Sequence, residues 1–313
     1  MNIVFMGSAE FGIPVLERLS AAGHVIKGIV SVPRKQSGRG LKPVDSPVVA
    51  FARQKGLGPV LTPENLRSAD FVEVLKKMEA DVFIIVAFRI VPREVFSLPP
   101  FGAINIHASL LPRFRGPAPI QRAIAAGEKT TGISIFRIDE GMDTGMIMLQ
   151  KEIAIGDEET APQLNERLSR LGADGIEETL AALRDNSVVY SKQNPALATP
   201  APKLTKAEGN IDWGLPARTI FNRIRAFKPF PGAYTFYEGL RLNIEGAVVI
   251  DGAGNDPPGT VYFAGRTGID VQCGEGRLRI VQIKPEGKKT MSAPAFLAGR
   301  NIVAGARFGK GTP

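Results

Sequence analysis

The sequence has few of the residues on which several functional classes depend. Its 313 residues include one cysteine, Cys273, and two histidines. A single cysteine excludes an internal disulfide framework and is typical of a reducing cytoplasm. One cysteine and two histidines also leave no cluster of ligands for zinc, and no apolar run approaches the roughly 20 residues that span a bilayer. We therefore expect a cytoplasmic protein with no metal site and no membrane segment.

The first part of the chain has almost no net charge, and the net positive charge lies in the second part. The formal net charge is +8. Residues from 203 onward contain 16 Lys and Arg against 9 Asp and Glu, whereas the first 202 residues contain 23 against 22. A near-neutral part followed by a basic part suggests a catalytic domain joined to a domain that binds a polyanion. A solvated basic surface would give the same surplus, so charge alone leaves both interpretations open.

Apolar strand patterns alternate with helical patterns over the first part of the chain. Continuous apolar runs such as "NIVFMG" and "DVFIIVAF" are typical of strands buried on both faces, and amphipathic stretches lie between them. The first of these runs lacks the basic region that precedes a signal peptide core, so we interpret it as a strand. The alternation predicts an α/β domain over residues 1–189, with a doubly wound, Rossmann-like parallel sheet.

The composition and the hydrophobic pattern of the sequence change after residue 189. Residues 190–208 are polar and rich in proline, which is typical of a linker. Short alternating runs such as "RLNIEGAVVI" and "LRIVQI" then follow, separated by glycine-rich turns. They predict a basic, OB-like small β-barrel domain over residues 209–313. Five aromatic residues of this region could stack on nucleic-acid bases, but we favour packing in a core or hinge for them: Trp213, Phe227, Phe230, Tyr234 and Phe236.

The stretch "AINIH" places an amide and an imidazole two residues apart. In a strand, Asn105 and His107 would lie on the same face. The loop "DEGMDTG" follows the next predicted strand and contains Asp139, Glu140 and Asp143. Because ligands of open α/β sheets bind beyond the carboxyl ends of the strands, we expect these side chains to meet there.

These side chains suit acyl transfer to an external nucleophile without a covalent enzyme intermediate. Asn105 can donate a hydrogen bond to a developing oxyanion. His107 can donate to the same oxygen or carry a proton, and Asp143 can orient the imidazole or accept a proton from an attacking amine. Ser109 lacks the G-x-S-x-G surroundings of a nucleophilic serine. The other histidine, His24, lies far from these motifs in sequence, and we interpret it as structural.

Two glycine-containing segments bear on other functions. "GSAEFG" lacks the G-x-G-x-x-G spacing of a dinucleotide site, which disfavours a nicotinamide dehydrogenase. "VPRKQSGRGLKP" follows the second predicted strand and carries Arg34, Lys35, Arg39 and Lys42. This basic loop is either an ordinary solvated loop or an insertion that contacts a nucleic-acid backbone.

Four stretches together resemble the 10-formyltetrahydrofolate-dependent formyltransferases: "NIHASLLPRFRGPAPIQRAI", "GMDTG", "RAFKPFPGAYT" and "PEGKKTMSA". The resemblance covers essentially the whole chain. The first two stretches are shared across the wider family, whereas the last two resemble its tRNA-formylating branch. The resemblance implies transfer of a formyl group from 10-formyltetrahydrofolate to the α-amine of initiator methionyl-tRNA. We also expect the protein to be a monomer.

The resemblance also implies the roles of particular residues. Catalysis would fall to Asn105, His107 and Asp143, with the oxyanion held by the first two. Binding of the folate donor would fall to residues of three segments: Phe88, Arg89 and Ile90, in the strand-end segment that continues to Pro92; Ser109, Leu110, Leu111 and Pro112; and Asp139 and Gly141. The basic loop would contact the acceptor end of the tRNA, with Arg39 at its core. The family commonly has Tyr-Gly where this chain has Phe88-Arg89.

Other functions remain open on the residues alone. The same first domain could serve a formyltransferase of nucleotide-linked amino sugars or a formyltetrahydrofolate hydrolase, although neither has an evident need for the basic second half. A protein of another class, a non-catalytic RNA-binding protein, could use the same scaffold. The intact set of Asn105, His107 and Asp143 argues against it, because such a protein has no evident reason to keep all three.

Overall fold

A computed structural model describes residues 1–37, 42–250, 252, 254 and 256–309. The chain divides into two compact units, each built from three segments. Unit 1 is formed by Met1–Pro119, Thr130–Ala154 and Leu164–Pro202, and unit 2 by Ile120–Lys129, Ile155–Gln163 and Lys203–Pro313. Residues 190–202 of the predicted linker thus belong to unit 1. The domain boundaries drawn from the sequence stay a prediction.

The strands of unit 1 form one large sheet and one small hairpin. The nine strands are β1 (Asn2–Gly7), β2 (Val25–Val30), β3 (Lys35–Ser37), β4 (Lys42–Val44), β5 (Val60–Leu61), β6 (Val82–Val86), β7 (Ala103–His107), β8 (Thr130–Arg137) and β9 (Ile147–Ala154). Seven of them form a sheet in the order β5-β2-β1-β6-β7-β8-β9, and β3 pairs with β4. The first five of these seven are parallel, and their buried apolar runs account for the predicted α/β class, which is confirmed.

The sheet departs from the prediction at β8 and β9, which run antiparallel to their neighbours. Ile104 of β7 pairs with Arg137 at the end of β8, and His107 pairs with Ser134. The carboxyl end of β8 therefore lies beside the start of β7, at the opposite edge from His107. The expectation that both strand ends share one edge was wrong, because the hydrophobic pattern of a buried strand is the same in either direction.

Among the described residues before position 203, the structure has six α-helices: α1 (Ile13–Ala21), α2 (Pro47–Lys55), α3 (Ala69–Lys77), α4 (Arg93–Phe96), α5 (Pro119–Ala126) and α6 (Ala161–Arg184). From Leu164 onward, α6 packs closely on the sheet of unit 1. A Cβ atom at Gly172 would lie 3.0 Å from Cγ2 of Ile106, so glycine permits this approach. Ile106 therefore faces α6, and its strand neighbours Asn105 and His107 face the other way. No helix of the described residues is long and apolar enough to cross a membrane.

Unit 2 contains an antiparallel sheet curled as a half-barrel, which confirms this part of the predicted fold class. Its elements are α7 (Ala217–Ala226), β10 (Tyr234–Tyr237), β11 (Leu240–Ile250), β12 (Val261–Gly265), β13 (Gly268–Gln272), β14 (Arg277–Pro285), β15 (Met291–Ser292) and α8 (Ala293–Ala298). The strand order is β10-β11-β14-β13-β12, with β15 on β14. Gly309 bridges to Phe236 of β10, and Arg307 bridges to Thr260 just before β12, so one segment lies against both edge strands.

Candidate active site

β7 presents an amide and an imidazole side by side, as its alternation predicts. Asn105 is half-buried, and among the described residues its carboxamide has no hydrogen-bond partner. His107 is almost fully buried. The backbone of Asn105 is fixed on both sides, because β7 pairs with β6 and with β8 at this position. The strand therefore holds a free amide donor in a rigid place.

The ring of His107 is oriented by a backbone carbonyl. Its Nε2 lies 2.8 Å from the carbonyl oxygen of Phe114. A carbonyl oxygen can only accept, so Nε2 carries the proton in a neutral His107 and Nδ1 keeps its lone pair. Nδ1 lies 3.7 Å from Oδ2 of Asp143, which exceeds ordinary hydrogen-bond distance. One ring nitrogen is thus fixed, and the other is open beside a carboxylate.

Asp143 reaches His107 from a tightly bonded loop between β8 and β9. Its φ of 54° lies in the left-handed region, where aspartate is tolerated better than most residues. Oδ2 of Asp143 accepts the backbone N–H of Gly116 at 2.8 Å, and its carbonyl accepts Nε2 of Gln193 at 2.8 Å. The loop folds back along the sheet, so Asp143 lies near His107 although β8 ends at the other edge.

The other predicted residues of this loop hold the loop together. Oδ1 of Asp139 accepts the hydroxyl of Thr144 at 2.6 Å and the N–H of Gly141 at 3.1 Å. Glu140 pairs with Arg93 at 3.0 Å in an exposed position. In the described part of the chain, no group of three or more His, Cys, Asp or Glu side chains is placed to hold a metal ion. Asp139 and Glu140 thus form contacts that hold the loop in its conformation.

The loop that follows β7 is held from within the sheet. The buried hydroxyl of Ser109 donates to the carbonyl of Arg113 at 2.7 Å. Ser134 of β8 donates to the carbonyl of Ser109 at 2.7 Å and accepts the N–H of Leu111 at 2.9 Å. Leu111 is buried, Leu110 and Pro112 are half-buried, and the Leu111–Pro112 peptide bond is cis. The predicted donor-binding residues 109–112 thus lie directly beyond His107 in a fixed conformation.

The segment after β6 contains an arginine with one buried, unpaired donor. Arg89 donates from Nη1 to the carbonyl of Glu64 at 2.9 Å and from Nη2 to that of Pro63 at 2.8 Å. Its Nε is buried and has no partner among the residues that the structure describes. Phe88 is half-buried against the core, and Ile90 is 77% exposed. Because β6 and β7 are parallel neighbours, this segment and His107 lie at the same edge of the sheet.

The predicted basic loop is closed at its base by the β3–β4 hairpin, in which Lys35 pairs with Val44. Arg34 forms a hydrogen bond of 2.7 Å with Asp45, and Arg53 contacts the same carboxylate at 2.6 Å. The hydrogen bond from Arg34 lowers the pKa of Asp45. Lys42 begins β4, and Arg39 lies outside the described residues. Arg34 is therefore already paired, and the two lysines occupy the strands of the hairpin.

Sequence reasoning missed two polar residues of the predicted linker that support the site. Nε2 of Gln193 donates to the carbonyls of Asp143 and Gly145. Its Oε1 accepts a hydrogen bond of 2.6 Å from Nη2 of Arg115. Thr199 accepts the N–H of Phe114 at 2.9 Å, beside the carbonyl that binds His107. Neither residue stands in a motif. The sequence indicates them only by placing an amide and a hydroxyl side chain in a polar stretch.

Comparisons with known proteins agree over nearly the whole chain. The family model described as "Formyl transferase" matches residues 1–180, and the one described as "Formyl transferase, C-terminal domain" matches residues 203–301. A protein named "Methionyl-tRNA formyltransferase" from Caldanaerobacter subterraneus subsp. tengcongensis is 44% identical over 307 residues, which are 97% of this chain and 99% of that protein. One of the same name from Geobacter metallireducens is 41% identical over 310 residues, 99% of each chain.

Solved structures share the fold at lower identity. An N-formyltransferase from Helicobacter canadensis, solved in complex with folinic acid and dTDP-3-aminofucose, matches with a TM-score of 0.64 and 17% identity over 89% of this chain and 98% of that one. Methionyl-tRNA formyltransferase from Clostridium thermocellum matches with a TM-score of 0.54 and 19% identity over 81% of this chain and 95% of that one. At these identities, the structures establish the fold alone.

Proposed function

We propose that this chain, which belongs to the formyl transferase family, transfers a formyl group from 10-formyltetrahydrofolate to the α-amine of initiator methionyl-tRNA. Methionyl-tRNA is proposed as the acceptor because the chain is 44% identical, over 97% of its length, to a protein named for that acceptor. The chemistry is supported by the free amide of Asn105 beside the open Nδ1 of His107. The reaction takes place in the cytoplasm, and the enzyme acts as a monomer, which light scattering would test.

Three side chains carry the proposed mechanism. When the amine attacks the formyl carbon, a C–N bond forms and the carbonyl electrons move to oxygen. Asn105 donates its amide N–H to that oxyanion. Nδ1 of His107 accepts the proton of the attacking amine, and the resulting imidazolium faces Asp143. When the bond to the donor nitrogen breaks, the same Nδ1–H returns the proton to that leaving nitrogen.

The hydrogen bond at Nε2 of His107 determines which ring nitrogen can take part in the reaction. Because Nε2 is bonded to Phe114, only Nδ1 is available for proton transfer or for a hydrogen bond to the oxyanion. Gly116 and Gln193 hold Asp143 where it can pair with the charged ring. Asp143 is thus proposed to orient and stabilise the ring, which relays the proton.

Donor binding is proposed for residues 88–92, 109–112 and the 139–141 turn. A formyl-folate presents carbonyl oxygens, which need donors. Nε of Arg89, in the segment that follows β6, is a donor without a partner among the described residues. Phe88 and Ile90 offer apolar surface beside Arg89. Asp139 and Gly141 contribute by shaping the turn.

Contact with the acceptor end of the tRNA is proposed for the basic loop through Arg34, Lys35, Arg39 and Lys42. Each phosphate that the protein neutralises steepens the salt dependence of binding by about 0.7–0.9 log units per log unit of salt. The variant K35Q/K42Q should therefore bind tRNA more weakly and with a smaller salt slope. An unchanged slope would remove the two lysines from the proposal.

One assay tests the whole proposal. The protein is mixed with 10-formyltetrahydrofolate and methionylated initiator tRNA, and formylmethionine is measured on the tRNA after base hydrolysis. Parallel reactions contain a nucleotide-linked amino sugar or no acceptor. We expect product on the tRNA, formed about 10²- to 10³-fold more slowly by N105A. Formylation of the sugar, or release of formate alone, would establish one of the two alternative enzymes and overturn the proposal.

A further inference from the structure

Polar side chains form a row across three strands of the sheet in unit 1, and the candidate catalytic histidine stands at one end of it. His107 of β7 pairs with Ser134 of β8, and Ser134 pairs with Gln150 of β9. Directly paired residues of antiparallel strands project from the same face of a sheet. The three side chains are therefore neighbours on one face. Ser134 and Gln150 are called here the polar pair.

The polar pair holds the backbone of the loop that follows β7. The hydroxyl of Ser134 donates to the carbonyl of Ser109 at 2.7 Å and accepts the N–H of Leu111 at 2.9 Å. Nε2 of Gln150 donates to the carbonyl of Leu111 at 2.9 Å and to the hydroxyl of Ser134 at 2.8 Å. Three backbone groups of residues 109–111 are thus bonded to the polar pair.

The two members of the pair use their hydrogen-bonding groups fully toward the loop and each other. A serine hydroxyl has one donor and two lone pairs, and Ser134 has a partner for all three. Ser134 is 0% exposed, so a lost bond there leaves a buried polar group unsatisfied. Gln150 lies at the surface on the last strand of the sheet. Its amide nitrogen nevertheless has two protein acceptors, one for each of its hydrogens.

A second, apolar row connects the same loop to Asn105. Asn105 pairs with Phe136 of β8, and Phe136 pairs with Ile147 of β9. The side chain of Leu111 packs with Phe136 and Ile147 in one buried cluster. The backbone of Leu111 is therefore bonded to the polar pair, while its side chain packs on the row that contains Asn105. The position of the loop relative to both candidate catalytic side chains depends on these two rows.

We propose that Ser134 and Gln150 are positioning residues, which hold residues 109–112 in the conformation that binds the formyl-folate donor. This inference rests on the proposed function, in which this loop binds the donor. A loop that loses these bonds populates the binding conformation less, and the apparent affinity for its ligand falls by the same fraction. The bound donor orders the loop again, so the chemical step itself is unaffected.

Substitution of Gln150 tests the proposal at an exposed position. The variant Q150M keeps the length of the side chain and removes both donated hydrogen bonds. We expect the KM for 10-formyltetrahydrofolate to rise about 5- to 25-fold, because each of the two lost bonds contributes a factor of about five. The KM for methionyl-tRNA and the turnover number should stay at their wild-type values. Q150K, whose ammonium group can donate to the same two oxygens, should give a donor KM closer to that of the wild type.

Glu152 provides the matched control. It lies two residues further along the same face of β9, and in the described part of the chain it forms no hydrogen bond to the loop. E152M should therefore keep both KM values. S134A removes the hydroxyl that binds the loop twice, so its donor KM should rise more than that of Q150M. Thermal unfolding monitored by circular dichroism verifies that each variant is folded.

Direct binding of 5-formyltetrahydrofolate, a stable isomer of the donor, is measured by isothermal titration calorimetry. Its Kd should rise in Q150M by the same factor as the donor KM. An unchanged donor affinity, equal rises in the KM values of donor and tRNA, or a loss of turnover at an unchanged donor KM would each overturn the inference.

The same titration separates failure of this inference from failure of the proposed function. If the wild type binds the folate but does not formylate methionyl-tRNA, the proposed function fails, and the affinity of Q150M still decides the role of the polar pair. A wild type that binds no formyl-folate overturns both.

Discussion

The two histidines of the chain are buried to a similar extent but differ in how many of their ring nitrogens have a hydrogen-bond partner. The side chain of His24 is 10% exposed and that of His107 is 8% exposed, and each faces a carboxylate. His24 has both nitrogens occupied, at 3.2 Å from the amino nitrogen of Met1 and 3.4 Å from Glu177. His107 has one nitrogen bonded to a carbonyl and the other open. The difference teaches that a vacant ring nitrogen beside a free amide, and not burial, separates a candidate catalytic histidine from a structural one.

The largest expected effect is that of His107→Ala. Loss of a positioned acid or base should lower the turnover number by about 10²- to 10⁴-fold. His24→Ala, the matched variant, should leave turnover unchanged. Single-turnover formylation at saturating substrates measures both. Equal losses in the two variants would show that folding, and not chemistry, explains the effect.

Asn105→Ala should have the next largest effect. It removes the only side-chain donor that we assign to the oxyanion on β7, and loss of one such donor costs about 10²- to 10³-fold in turnover. The KM values should change little, because the bond strengthens only as negative charge develops on oxygen. A rise in KM at normal turnover would instead place Asn105 in substrate binding.

Gln193→Leu should reduce turnover by about tenfold, because the Asp143 loop loses the donor that holds two of its carbonyls. Gln193→Glu is the matched control. It keeps an acceptor for Arg115 but cannot donate to the loop. We expect both variants to lose turnover without a change in stability that would explain it. Normal turnover in Gln193→Glu would show that Gln193 acts only through its hydrogen bond with Arg115.

The smallest expected effect is that of His24→Gln, which should lower the free energy of unfolding by about 1 kcal/mol. The contacts to Met1 and Glu177 are partly lost, while the site is untouched. Urea unfolding followed by fluorescence measures the change, and formylation should remain normal. A loss of activity in the folded variant would contradict the contrast between the two histidines.

The sequence predicted the fold class and the face of β7 because both follow from periodicity. Buried parallel strands read as continuous apolar runs, and alternation in "AINIH" puts Asn105 and His107 together. The family resemblance is confirmed as well. The roles assigned to individual residues stay predictions, and the variants above are designed to test those of Asn105 and His107.

Strand direction and long-range support could not be predicted in the same way. No local pattern distinguishes an antiparallel β8, so the path that brings Asp143 back to His107 was unforeseen. Gln193 and Thr199 act through hydrogen bonds to loops about 50 and 85 positions away in sequence, and nothing in their own surroundings marks those partners. Arg89 was placed near the donor by resemblance, while its open Nε is visible only in the structure.

The bridge between Phe236 and Gly309 has a consequence for synthesis. Thr235 also donates to the carbonyl of Gly309, 74 positions further along the chain. At about 5–20 residues per second, β10 is translated roughly 4–15 s before this partner. For that interval the outer edge of β10 has unpaired backbone groups, which are a template for pairing with other chains. A segment translated later therefore protects a strand made much earlier, and a ribosome that stalls before Gly309 leaves that edge open.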